Sequence, residues 1–511
     1  MSDRIFVGGG GDGYGQAQDL LLALTNRHGL IAGATGTGKT VTLQIMAEGL
    51  SAAGVAVFLA DVKGDLSGLA AAGSPTQKLH EVFTKRAATI GLDLKYSAFP
   101  VTFWDLFGKQ GHPIRATIAE MGPLLLSRLL QLTDVQEGVL NVAFRVADEQ
   151  ALPLLDLEDL QALLVWVGQN ATDLSLRYGN VATASVGAIQ RQLLVLENQG
   201  GAELFGEPAL DLMDLLTCDT DGRGRINILA ADTLMNAPVL YATFLLWLLS
   251  ELFEVLPEVG NPDKPKLVFF FDEAHLLFKD APKVLVDKVE QVARLIRSKG
   301  VGVFFITQNP ADVPDSVLAQ LGNRVQHALR AFTAKDRKDL EKAAQTYRDN
   351  PRFSTVDAIR DVGTGEAVTS MLDAKGVPMM VERTLIRPPS SQLGPIDPAT
   401  RAAMMAASPM AAKYNTRMYR DSAAEMLGRK ADAAAQQVEQ ATAVPPDDGL
   451  QNARRYDGGR TTPSDRTPPR PTPRSGGSFG DKLTSVVVKE LTGSTGRRIV
   501  RGILGGLFRG R

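Results

Sequence analysis

The feature that most constrains this chain is one continuous stretch. A short apolar run, Gly29 to Ala32, gives way to Gly33-Ala-Thr-Gly-Thr-Gly-Lys-Thr40 and then to a helix-forming segment from about Thr40 to Ala53. Strand, glycine-rich turn and helix in that order is the context in which G-x-x-x-x-G-K-[ST] acquires physical meaning. Gly33, Gly36 and Gly38 let the backbone bend closely round a bound group, so that successive N–H groups and the helix N-terminus point at negative charge. Lys39 adds a point charge beside the β- and γ-phosphates of a nucleoside triphosphate, and Thr40 offers a hydroxyl to Mg²⁺. Gly33, Ala34, Thr35, Gly36, Thr37, Gly38, Lys39, Thr40 and Val41 are the expected nucleotide contacts, with ATP and Mg²⁺ the expected cofactors. A merely flexible Gly/Thr loop is the competing account, and the flanking strand and helix argue against it.

Further apolar runs supply the rest of a sheet: Val55 to Ala60, Ile226 to Leu229, Leu267 to Phe271, Val301 to Ile306 and Val325 to Leu329. Continuous apolar runs separated by helices predict parallel strands buried on both faces. About thirty residues precede Gly33, enough for a strand or hairpin. Two more runs, Ala367 to Met371 and Val377 to Val381, flank the turn-like Asp373-Ala-Lys-Gly376 and predict a closing hairpin. Pro378 marks the second as an edge strand.

Phe269-Phe-Phe-Asp-Glu-Ala-His275 is an apolar strand ending in two acids, which a parallel sheet delivers to its carboxyl edge, where ligands bind. Asp272 is expected in the Mg²⁺ shell, and Glu273 is expected to orient or deprotonate the attacking water. Gln308, at the end of Val303-Phe-Phe-Ile-Thr-Gln308, is suited to sense the γ-phosphate and the water, or is an ordinary strand-end amide. Asp61, in Asp61-Val-Lys-Gly-Asp65, contacts the metal shell or caps a turn. His275 relays a contact to a neighbouring strand or is a satisfied structural residue.

Composition excludes several classes. With 511 residues and 44% hydrophobic content a large core is available, and 55 Lys+Arg against 57 Asp+Glu announces no global nucleic-acid partner, so any such contact is local. A single cysteine, Cys218, and five scattered histidines point to a reducing compartment, taken as the cytoplasm, with no structural metal. The N-terminus lacks the basic and apolar regions of a secretory signal, and the run Ala237 to Ser250 is short of a membrane span and reads as a buried core helix. Residues 445–478 are dense in Pro, Arg, Gly, Ser and Thr and predict a disordered linker. Residues 479–511 form a basic amphipathic segment, with Ile499, Ile503, Leu504, Leu507 and Phe508 beside Arg497, Arg498 and Arg501, suited to a protein or membrane surface.

Taken together, GATGTGKT at 33–40, DVKGD at 61–65, FFFDEAH at 269–275 and ARLIRSKGVGVFFITQNP at 293–310 resemble the HerA/FtsK class of hexameric ATPase motors, nearest a bacterial HerA-like group, over about Phe6 to Arg387. The resemblance implies a RecA-like P-loop NTPase core with a mostly parallel sheet, a homohexameric ring and action on DNA as a helicase or translocase. It also implies an arginine that reaches a neighbour's ATP in trans. Arg297 matches that position, with Arg294 one turn earlier as its understudy, and a solvated helix-end residue is the alternative for Arg297. Archaeal HerA proteins carry a β-barrel ahead of the P-loop that this chain lacks room for before Gly33, which weakens any implied nuclease partnership. A second reading is a P-loop ATPase serving as a switch or assembly factor for a protein or membrane-associated partner.

The expected organisation is a core in two parts, 1–112 and 217–388, interrupted by a helical insertion at 113–216. A helical extension at 389–444, the linker at 445–478 and the basic segment at 479–511 follow, the last two making the tail partly disordered.

Overall fold

The computed structural model describes residues 3–278 and 283–442. The chain divides into Met1–Ala424 and Glu425–Arg511, and the described part of the second unit is helical, lying within the helix Ala423–Thr442. The segments expected as a linker and a basic amphipathic tail fall outside the described residues.

One 12-stranded sheet organises the first unit. Its strands are β1 (Arg4–Gly10), β2 (Gln16–Leu21), β3 (Gly29–Ala32), β4 (Ala56–Asp61), β5 (Val101–Asp105), β6 (His112–Pro113), β7 (Ile226–Ala230), β8 (Leu267–Phe271), β9 (Val301–Thr307), β10 (Asn323–Gln326), β11 (Glu366–Ser370) and β12 (Glu382–Ile386). They lie side by side in the order β2-β1-β12-β11-β10-β3-β9-β8-β4-β7-β5-β6. From β10 to β6 every neighbouring pair is parallel. The remainder, β2 to β10, is antiparallel. The fold is thus a RecA-like α/β core in which β9 separates the glycine-loop strand β3 from the acidic strand β8.

The central strands are buried along their whole length because helices cover both faces, which is why they read as unbroken apolar runs. Side chains on neighbouring strands stack across the sheet. Phe58 meets Phe269 at 4.5 Å between ring centroids, Phe271 meets Phe305 at 5.4 Å, and Phe270 meets Phe304 at 5.3 Å. Such pairs contribute about 0.5–1.5 kcal/mol each beyond their area burial and fix the register of β4, β8 and β9, the strands that carry the polar ends of interest.

The helix α1 (Lys39–Ala52) is buried on nearly every face, including the polar Gln44 and Glu48. Burial of those groups demands partners. The segment that follows β12 supplies them: Arg387 Nη1 lies 3.0 Å from Glu48 Oε2, the Ser390 and Ser391 amides donate to the same carboxylate, and Gln44 Nε2 donates to Ser391 Oγ. The N-terminal hairpin β1–β2 extends the sheet through β1, with Gly8 opposite Ile386. A Cβ at Gly8 would stand 2.2 Å from the Leu385 carbonyl oxygen, so glycine permits that approach.

The closing hairpin departs from expectation in two respects. The closing hairpin pairs 366–370 with 382–386, so the second strand begins after Val381 rather than spanning Val377 to Val381. Asp373 Oδ1 accepts from the amides of Lys375 and Val377 and Gly376 sits at φ +75°, which keeps the chain in a turn through Pro378. Nor is the second strand an edge: β12 is paired on both sides, by β1 and by β11. β5, with its Val-Thr-Phe-Trp-Asp sequence, is an apolar run that the sequence reading passed over.

Between β6 and β7 the chain forms the helices Ile118–Leu129, Asp134–Glu149, Leu157–Gln169, Ala171–Tyr178 and Thr183–Asn198. Among the described residues one helix, Pro238–Val255, is long and apolar enough to cross a membrane by length and composition; most of its side chains are buried in the protein.

Candidate active site

Strand β3 ends at Ala32, and the loop 33–38 leads into α1, whose N-cap is Gly38. No side chain caps that helix and no acid lies in its first turn, so its leading N–H groups are offered outward to an anion. Gly33, Gly36 and Gly38 take φ of +150°, +78° and +120°, backbone angles that L side chains rarely adopt. At Gly33 a Cβ would lie 2.5 Å from Cβ of His327, so the loop packs directly on the end of β10. Lys39 is buried, and its Nζ donates to the Gly33 and Ala34 carbonyls at 2.6 and 3.2 Å. Desolvation lowers its pKa and the nearby Lys63 adds to this, while Glu273 and Asp272 pull the other way. The lysine therefore feels both acids that follow β8, two strands away from its own.

Beyond β8, Asp272 and Glu273 stand at the same carboxyl edge of the sheet. The amide of Glu273 donates to Asp272 Oδ1 at 3.0 Å, and Tyr241 Oη donates to the Asp272 carbonyl. Desolvation, then the charge of Glu273, pushes the Asp272 carboxyl up to about 7. A divalent cation would offset both penalties, which fits Asp272 to a metal shell. Glu273 is buried, at 6% exposure, and its backbone sits at φ +49°, a left-handed conformation costly for a non-glycine residue. Its carboxylate is met by Gln308 Nε2 at 3.5 Å and His275 Nδ1 at 3.4 Å on Oε2, and by Lys63 Nζ at 3.7 Å on Oε1.

The uncapped helix end, the inward lysine and the paired acids fit ATP with Mg²⁺: the loop 33–38 and Lys39 would hold the phosphates, and Thr40 with Asp272 the metal. Bound there, Mg²⁺ supplies charge neutralisation of the transferring phosphoryl group. Gln308 Nε2 stands 3.5 Å from Glu273 Oε2 at this edge, and a carboxylate beside an amide is a pair whose chemistry would suit taking a proton from water and orienting it.

Other expected residues fall as follows. Both oxygens of Asp61 are used within its own loop, accepting from the amides of Asp65 at 3.1 Å and Leu66 at 3.0 Å, and burial beside Asp65 raises its pKa to about 6. Arg297 lies in the turn just before β9, whereas Gln308 lies just after it, so the seven-residue strand separates them by roughly 20 Å. Its Nη2 donates to Asn261 Oδ1 at 3.3 Å, and Arg294 is exposed at the end of the helix Lys283–Leu295. Neither arginine reaches the acids of its own chain. Two residues at or behind the site were not singled out from sequence, His327 and Lys63. The DVKGD run carried a signal for the second, and nothing local marked the first.

The family model described as "Helicase HerA-like C-terminal" matches residues 10–511. Among curated proteins, the DNA double-strand break repair helicase HerA of Sulfolobus acidocaldarius is 24% identical over 172 residues, 32% of this chain and 34% of that protein. The chain thus matches about a third of the length of that relative. Among solved structures, VirB4 of Thermoanaerobacter pseudethanolicus is similar over 76% of this chain and 97% of that one, with 15% identity and a TM-score of 0.49. The bacterial conjugative coupling protein TrwB, in a form lacking its N-terminal segment, is similar over 75% of this chain and 89% of that one, with 16% identity and a TM-score of 0.45.

Proposed function

The chain belongs to the HerA-like helicase C-terminal family, and on that premise we propose that it is an ATP-hydrolysing motor that assembles as a homohexameric ring in the cytoplasm and acts on DNA as a helicase or translocase. The observation that carries the hydrolytic part is the meeting of Lys39 with Asp272 and Glu273 at one edge of the sheet, within electrostatic reach of one another. In the reaction, the loop 33–38 and the start of α1 bind the phosphates, and Lys39 holds the β- and γ-phosphates as charge moves onto the leaving oxygens. Glu273 takes the proton of the attacking water, and Gln308 fixes the water's direction.

The ring is supported by the position of Arg297. At the amino edge of β9 it lies too far from its own acids to stabilise charge there, so a neighbouring subunit's site is the one it can serve. Action on DNA is supported by the family and by the name of the curated relative.

The test is to measure ATP turnover and particle mass together, with and without linear double-stranded DNA at low salt, for the native protein and for Arg297→Ala. The expected result is a six-fold assembly in both, with turnover lost in the variant and altered by DNA in the parent. A monomer whose turnover is indifferent to Arg297→Ala would remove the ring, and a parent that neither binds DNA nor responds to it would remove the DNA arm.

A further inference from the structure

Among the described residues Lys63 is the one lysine or arginine within ion-pair distance of the Glu273 carboxylate, the other nitrogen at that range being the His275 ring Nδ1. Its place is fixed by the turn that follows β4. Asp61 draws the amides of Asp65 and Leu66 back onto its carboxylate, and Gly64 at φ +73° lets the chain reverse. In the parallel register Leu59 lies beside Phe270, so the residues just past β4 emerge next to those just past β8. Lys63 thereby faces Glu273 from the adjacent strand end.

The two carboxylate oxygens are treated differently. Oε2 is met by Gln308 Nε2 and His275 Nδ1, whereas Oε1 has, among the described residues, Lys63 Nζ alone, at 3.7 Å. A general base needs a free lone pair directed at water, and Oε1 is the oxygen left to supply it. The backbone of Glu273 is held at φ +49°, a conformation that persists where several contacts over-determine it. The lysine itself is 41% exposed on a surface loop, so it can swing away without opening the core, while Glu273 at 8% side-chain exposure cannot.

From this geometry we infer that Lys63 is a positioning residue that latches the general base: paired with Oε1 it keeps Glu273 from taking water's proton, and turnover requires it to leave. The inference rests on the ATPase reading above. Lys63 acts through Glu273 and holds no part of the nucleotide. The long pair distance and the exposed loop make the latch weak enough to open in every cycle, so it sets a basal rate rather than abolishing it.

The experiment compares steady-state ATP turnover of the full chain with Lys63→Ala, Lys63→Met and Lys63→Arg, with Glu273→Gln as control and thermal unfolding run alongside. Removing the cation should raise basal kcat about three- to ten-fold while leaving KM for ATP within about two-fold. Lys63→Arg, which keeps the charge, should bring the rate back toward the parent's. A structural role would not produce acceleration, and a phosphate-binding role would appear as a raised KM; an unchanged or lowered kcat, or a KM effect as the main change, overturns the latch. Should the alanine variant fail to fold, the methionine variant, which keeps the length of the side chain, decides. A parent and variants all without turnover remove the ATPase reading and the latch with it. A parent that turns over, silenced by Glu273→Gln but not accelerated at Lys63, removes the latch alone.

Discussion

Thr42 Oγ1 donates a hydrogen bond to His327 Nε2 across 2.8 Å, joining the first turns of α1 to the end of β10 although 285 positions separate the two residues. The ring's other nitrogen stands 2.9 Å from the Glu366 carbonyl, which can only accept, so the proton sits on Nδ1 and Nε2 receives the hydroxyl. His327 is fully buried, and desolvation holds its pKa down to about 4, keeping the imidazole neutral. It acts as a rigid strut behind the phosphate loop.

His327→Ala should therefore strand a buried hydroxyl and a partly buried carbonyl, at a cost of about 1–3 kcal/mol. Because the imidazole also stands against Gly38, where an added Cβ would lie 3.2 Å from its Cε1, the loop would lose part of its backing and ATP affinity would fall about ten-fold. Calorimetric nucleotide titration together with thermal unfolding checks this, and unaltered affinity in a folded variant would show that the strut does not shape the loop.

The buried pair Glu48–Arg387 makes a second case. Glu48 is 1% exposed and Arg387 10%, and the guanidinium also donates to the carbonyls of Phe6 and Ile45. Glu48→Ala leaves a buried cation without its counter-charge and should cost about 3–5 kcal/mol, whereas replacing both partners with apolar residues of similar volume removes the stranded charge but leaves the Ser390 and Ser391 amides unpaired, so only part of that loss should return. Chemical denaturation of the two single variants and the double variant reads the difference as a coupling energy.

His28 gives a pH dependence. It is buried, its Nδ1 accepts from the Val303 amide at 3.0 Å, and desolvation depresses its pKa from 6.5 to about 4. The unfolded chain therefore binds a proton that the folded chain refuses between those values. Stability is full above about pH 6.5 and is lost as pH falls toward 4, by on the order of 3 kcal/mol from this residue. His28→Asn should be less stable at pH 7.5 yet show a shallower loss between pH 6.5 and 4.5. Equal slopes in parent and variant would assign the acid sensitivity elsewhere.

At the hydrolytic centre the two charge-bearing groups should separate binding from chemistry. Glu273→Gln keeps the shape and should retain ATP while turnover falls by about a hundred- to ten-thousand-fold. Lys39→Ala removes a charge from the phosphates and should lose both. Fluorescent nucleotide binding and phosphate release, measured on the same preparations, distinguish them; turnover at the parent's rate in either variant would contradict the proposed centre.

Much of this site was legible because its chemistry is local. The glycine loop with Lys39 and Thr40 is one contiguous run, and the acids of 272–273 end an unmistakable apolar strand, so each could be read without knowing its neighbours. The sheet's central strands were equally plain, since burial on both faces leaves an unbroken apolar signature. Less visible were β5 and the displaced closing strand β12, where Pro378 and Asp373 hold a turn through residues that look strand-like by composition.

The residue sequence alone determined which groups can bind phosphate and which can move a proton, because those capacities belong to single side chains and short backbone runs. The tertiary structure decided which of them share a space. Strand order put Lys63 beside Glu273 and His327 behind Gly33, and strand length put Arg297 at the far edge of the sheet from its own acids. Such distances follow from how strands pair across gaps of hundreds of residues, and no local pattern encodes a pairing.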